Sequence, residues 1–78
     1  MSRHVLHNGK NKFAYGFDLI CGYFYQVYVA GVEEPVEDKD NLTPGFHRVN
    51  VVERAKELGF NMPSEHIDQI MLDLPIGD

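Results

Sequence analysis

Apolar and polar residues follow a period of two in the first part of the chain and a period near 3.6 in the last. From Lys12 to Asp18, Phe13, Tyr15 and Phe17 alternate with Lys12, Ala14, Gly16 and Asp18, the rhythm of a β-strand with one aromatic face. Tyr23 to Val29 is β-branched and aromatic, too short and too β-rich for a helix. Tyr23, Tyr25, Val27 and Val29 share one side of it and Phe24, Gln26 and Tyr28 the other, which predicts a central strand of a small antiparallel sheet. Ahead of these strands a short apolar alternation ends in Asn8-Gly9-Lys10-Asn11, and Asn-Gly suits a type I′ turn, so a hairpin opens the domain. Leu19 to Gly22 reads as a connection.

The pattern then changes. Asn50 and Glu53 have the spacing of a capping box, Val51, Val52, Ala55 and Leu58 form a stripe, and Gly59 supplies a left-handed stop. This predicts a helix near 50–58. Pro63, Ser64 and Glu65 suit a helix start, and Ile67, Ile70, Met71 and Leu74 recur at three and four, predicting a second helix near 63–73 that ends at Leu74-Pro75. With only Gly59 to Met62 between them, the helices should form a hairpin whose apolar face lies on the sheet. The fold class is α+β: an N-terminal antiparallel sheet of three or four strands packed against a C-terminal two-helix hairpin. The expected core is Phe13, Tyr15, Phe17, Val27, Val52, Ala55, Leu58, Ile67, Ile70 and Met71.

Between sheet and helices, residues 30–45 contain Pro35, Pro44 and no sustained period. They read as a long acidic loop with at most a short strand near Val36, and Phe46 to Val49 reads as a further short edge strand. Loops of this length in small domains are commonly functional or disordered.

Composition narrows the class. At 78 residues the chain can build one core and a single domain, and such a chain buries only about 60–65% of its unfolded surface. Help from self-association is therefore expected, which leaves a homodimer open. Hydrophobic residues at 44% are too many for a disordered chain. Cys21 is the only cysteine, so no internal disulfide staples the fold and a reducing compartment, the cytoplasm, is expected. No segment has the apolar length of a signal peptide or a membrane span. Twelve acidic against seven basic side chains give a net charge of −5, which repels nucleic-acid backbones, so no direct nucleic-acid partner and no membrane partner is expected.

Candidate chemistry is sparse. His4, His7, His47, His66 and Cys21 match no zinc-ligand spacing and read as four surface histidines and a small buried thiol, with no metal and no cofactor. Cys21 as a nucleophile would need a histidine beside it, and no elbow, phosphate loop or dinucleotide fingerprint is present. Lys12-Phe13-Ala14-Tyr15-Gly16-Phe17 has the aromatic spacing of RNA-recognition sheets, but glycine comes fifth and Asp18 follows, against that pattern. Two binding surfaces remain. A two-helix hairpin covers only one face of a sheet, so Tyr15, Tyr23, Tyr25 and Tyr28 are candidates for a tyrosine-rich protein interface. Glu33, Glu34, Glu37, Asp38 and Asp40 form the second candidate, an acidic array that imitates nucleic acid.

Lys12 to Asp18 and Gly22 to Tyr28 together resemble short uncharacterised proteins carried by plasmids and other mobile genetic elements. The resemblance implies an accessory or counter-defence factor that binds a host protein. The reading is thus a non-catalytic protein-binding module using the tyrosine-rich sheet; the alternatives are an acidic nucleic-acid-mimicking inhibitor and, third, a small Cys/His enzyme.

Overall fold

The computed structural model describes residues 2–77. Strands β1 (His4–Asn8), β2 (Asn11–Asp18), β3 (Gly22–Tyr28) and β4 (Glu37–Asp40) precede helices α1 (Val49–Glu57) and α2 (Ser64–Met71). The strands form one antiparallel sheet in the order β1-β2-β3-β4, the α+β architecture expected from the periodicity. Of the two central residues of the β1–β2 turn only Gly9 has positive φ, at 63°, the pattern of a II′ turn rather than the I′ turn that Asn-Gly suggests.

Register decides which side chains meet the helices. Tyr15 pairs with His4 and Tyr25, Phe13 with Leu6 and Val27, and Phe17 with Tyr23, so the aromatic stripes of β2 and β3 lie on one side. Phe13 stacks on Tyr25 with ring centroids 5.3 Å apart and meets Phe60 at 5.5 Å, while Phe17 meets Tyr23 edge-on at 5.1 Å. Val51, Ala55, Phe60 and Ile70 complete this core from the helical layer. Phe13, Tyr15, Val27, Ala55 and Ile70 of the expected core are buried; Phe17, Val52, Leu58 and Ile67 are half-buried, and Met71 is exposed.

The second helix ends at Met71, two residues short of the expected stop. Asp73 takes a left-handed φ of 59°, and the Asp73 and Leu74 N–H groups donate back to Ile70 and Gln69, closing a Schellman motif at a residue type that tolerates this conformation. Arg48 donates to the freed carbonyls of Ile70 (2.8 Å) and Met71 (3.3 Å). The chain then turns back, burying Ile76 and bringing the Gly77 carbonyl 2.7 Å from His4 Nε2. In α1 the same motif forms at Gly59, with Phe60 N–H donating to Ala55 and Gly59 N–H to Lys56, as its sequence implies. The start of α1 differs from expectation. Asn50 lies inside the first turn, accepting from His47 N–H at 2.8 Å and donating to Glu53 at 2.9 Å, so no capping box forms, and Phe46 to Arg48 lead into the helix with no strand.

Gly16 is required by a close approach. A Cβ there would lie 2.1 Å from the Ser2 carbonyl oxygen. Ser2 is buried, its N–H donating to Phe17 O at 2.9 Å and its Oγ accepting from Phe17 N–H at 3.2 Å.

Candidate functional site

The tyrosines do not make the proposed open surface. Tyr15, Tyr23 and Tyr25 are 0%, 3% and 5% exposed, because β2 and β3 turn their aromatic stripes toward the helices. Each hydroxyl has a partner: Tyr15 with His66 Nδ1, Tyr23 with the Leu74 carbonyl at 2.8 Å, and Tyr25 with Glu37 at 2.6 Å. Burial pushes the Tyr15 phenol up to about 12 and, with the Glu37 carboxylate second, raises Tyr25 further. Only Tyr28 reaches the uncovered face. There it bonds Gln26 at 3.1 Å and accepts from Arg3 at 3.3 Å, with the Lys12 ammonium 5.7 Å from its ring. That face is a polar mesh of Arg3, Gln26, Tyr28 and Asp38.

The acidic array is also divided. What reads as a loop contributes β4, since the outer edge of β3 offers unpaired backbone groups: Val36 N–H donates to Val27 O at 2.8 Å, and Val27 pairs with Glu37 and Tyr25 with Lys39. Alternation then sends Glu37 to the helical side and Asp38 and Asp40 to the other. Glu37 accepts from Arg54 Nε and Nη2, both at 2.9 Å, and from Tyr25; Arg54 first, opposed by burial and aided by Tyr25, holds its carboxyl below the usual range. Asp40 accepts from Leu42 N–H at 2.8 Å. Glu33 and Glu34 alone stay in the exposed turn. The charges serve the edge and the core contact, and present no single acidic face.

Burial first, then the charges of Asp18, Asp40 and Asp38, push the Cys21 thiol up, against what a nucleophile needs. His7 and His47 are exposed, whereas His4 and His66 are half-buried with ring centroids 4.3 Å apart; the expectation of four surface histidines holds for two. Burial, then His4, lowers the His66 pKa. Among the described residues no group of three or more His, Cys, Asp or Glu side chains is placed to hold a metal ion, and no helix is long and apolar enough to cross a membrane.

A different surface stands out at the end of the sheet that carries the β2–β3 turn. Leu19 and Ile20 are 85% and 84% exposed at its tip. The turn is held in shape by Asp18 Oδ1, which accepts from Ile20 N–H at 2.7 Å and Cys21 N–H at 3.0 Å, an Asx arrangement that also lowers the Asp18 pKa. Beside it the turn after β4 exposes Leu42 and repeats the device with Asp40. Asn41 ties the two together, its N–H lying 3.2 Å from the carbonyls of both Cys21 and Tyr23. Leu74, half exposed, reaches the same end through its bond from Tyr23. No family model, curated protein or solved structure matches this chain. Sequence reading took Leu19 to Gly22 for a connection; the signal available was an aspartate directly before two aliphatic residues in a turn, where polar residues are the rule.

Proposed function

We propose that this chain is a non-catalytic protein-binding module that engages its partner through the Leu19, Ile20 and Leu42 end of the sheet. The observation that supports it is the near-complete exposure of two adjacent aliphatic side chains on a turn locked by Asp18. Ordering them beforehand removes part of the entropic cost of binding, and burying each contributes about 1.5–3 kcal/mol. Asp18, Asp38 and Asp40 surround an adjacent groove of about 400 Å³ that also holds Arg3, Cys21 and Phe24. The partner this fits is a protein with an apolar pocket and a basic rim; anionic membranes are disfavoured by the same carboxylates. The nucleic-acid-mimic reading is weakened by the division of the acidic residues between two faces, and the enzyme reading by the raised Cys21 thiol.

Parallel affinity captures with the wild type, Leu19→Ser/Ile20→Ser, and Glu33→Lys/Glu34→Lys test this. The expected result is a partner held by the wild type at high salt, weakened by at least about tenfold per lost aliphatic anchor in the serine variant, and retained by the lysine variant. A partner kept by the serine variant, lost by the lysine variant and released steeply by salt transfers the assignment to the inhibitor. Glu37 stays unchanged throughout, because its replacement breaks the fold contact with Arg54.

A further inference from the structure

The sheet has two free edges, and they are treated differently. On β4 all four residues, Glu37, Asp38, Lys39 and Asp40, are charged, the usual protection against edge-to-edge pairing. On β1 the sequence is His4-Val5-Leu6-His7-Asn8, with no acidic residue, no lysine and no proline. Its pairing with β2 runs in unbroken register from His4↔Tyr15 to Asn8↔Asn11, so no bulge twists the edge away.

Hydrogen-bond parity identifies what this edge presents. Along an antiparallel pair, alternate residues point their backbone groups at the partner strand. Ser2 N–H donates to Phe17 O, and the two-residue turn closes on Asn8↔Asn11, so His4, Leu6 and Asn8 face β2. Val5 and His7 therefore direct their N–H and C=O groups outward. Among the described residues no backbone bond from a turn or loop takes them up. The returning C-terminal segment reaches β1 through the His4 side chain, which leaves the edge open.

We propose that β1 pairs with β1 of a second copy of this chain, antiparallel about a twofold axis through Leu6, joining two sheets into one of eight strands. In that register the whole strand overlaps itself. Val5 of each copy exchanges both backbone bonds with His7 of the other, and Leu6 meets Leu6 on the helical side, extending the half-buried apolar cluster around Phe13 across the junction. Self-pairing is self-complementary by symmetry, as an isologous contact requires. The occupant is a second copy because β1 carries no Asp, Glu, Lys or Arg, so two chains of net charge −5 meet at the sheet edge where neither brings an acidic residue. The contact is smaller than the roughly 1,600 Å² of a standard stable interface, so the dimer is weak and concentration-dependent.

Sedimentation velocity on the full chain from about 10 µM to about 1 mM, the range in which small interfaces assemble, should show a monomer passing to a dimer. Amide exchange at Val5 and His7 should slow over the same range. Val5→Pro removes an outward donor and no β1–β2 bond, and should stay monomeric at the highest concentration. Val5→Lys, which copies the protection of β4, should shift the transition at least about tenfold upward. Far-UV circular dichroism checks that both variants are folded, and Val5→Lys decides the matter if the proline variant is not. A wild type monomeric throughout, or a dimer that survives Val5→Lys, overturns the proposal. So does a dimer abolished by Leu19→Ser/Ile20→Ser with Val5 intact. Capture of a different protein through Leu19 and Ile20 is read separately, so either result can fail alone.

Discussion

Replacing Glu37 by glutamine tests the most consequential contact in the molecule. The carboxylate joins three elements: its own strand β4, Tyr25 of β3 at 2.6 Å and Arg54 of α1 through two bonds of 2.9 Å. Glutamine keeps the shape and can still accept from Tyr25, but it loses the charge and turns an N–H₂ toward the guanidinium. Hydrogen bonds to charged groups contribute about 1.5–3 kcal/mol. Arg54 keeps 36% of its side chain in solvent and Glu37 24%, so screening reduces the loss to about 1–2 kcal/mol. For a domain of this size that lowers Tm by about 4–15 °C. Urea unfolding followed by circular dichroism at pH 7 measures it. The pH dependence gives an independent check with a definite sign. The folded-state pKa of Glu37 lies below its ordinary 4.5, so the stabilisation is fully present above 4.5 and is lost as pH falls through the folded value. The gap between wild type and Glu37→Gln should be constant from neutral pH to about 5.5 and close below 4.5. Tyr25→Phe should cost about 0.5–1.5 kcal/mol, and the double variant less than the sum of the two. A glutamine variant as stable as wild type at pH 7, or a gap unchanged at pH 3, would refute the reasoning.

Gly16→Ala sets a methyl against the Ser2 carbonyl at 2.1 Å; it should release the Ser2 bonds to Phe17 and destabilise by about 1–3 kcal/mol, measured by the same unfolding curves, with Gly77→Ala as a control in open space. Stability should also fall as pH drops below 6.5, because the His66 folded-state pKa is lowered from that value and the unfolded chain binds the proton first. His66→Gln should flatten that part of the profile, and an unchanged slope would show that another group carries it.

The first three strands, both helices and the Gly59 stop were legible because each is written in a local pattern: alternation, a three-four stripe, a glycine after the last turn. The end of α2 misled because it closes on Asp73, a non-glycine residue in a left-handed turn, with Arg48 holding the helix end from outside. Residues Glu37 to Asp40 misled because four charged residues carry no hydrophobic period; they pair only because β3 offers an open edge and Arg54 receives Glu37. Asp18 and the exposed Leu19 and Ile20 were in plain view, yet a turn read by its residue types alone does not say which side chains its hydrogen bonds hold outward.

The sequence by itself determined which residues share a face, since periods of two and 3.6 are properties of the backbone and need no partner. The tertiary structure alone decided which face is covered. Periodicity placed Tyr23 and Tyr25 together on one side of β3 and Tyr28 on the other, but assigning one to the core and one to water requires knowing on which side the helices land. That depends on the connection from β4 to α1, on Glu37 meeting Arg54, and on the C-terminal segment returning to bury Ile76. Burial is a long-range property, settled by segments distant along the chain, and it moved the candidate surface from the tyrosines to the aliphatic turn.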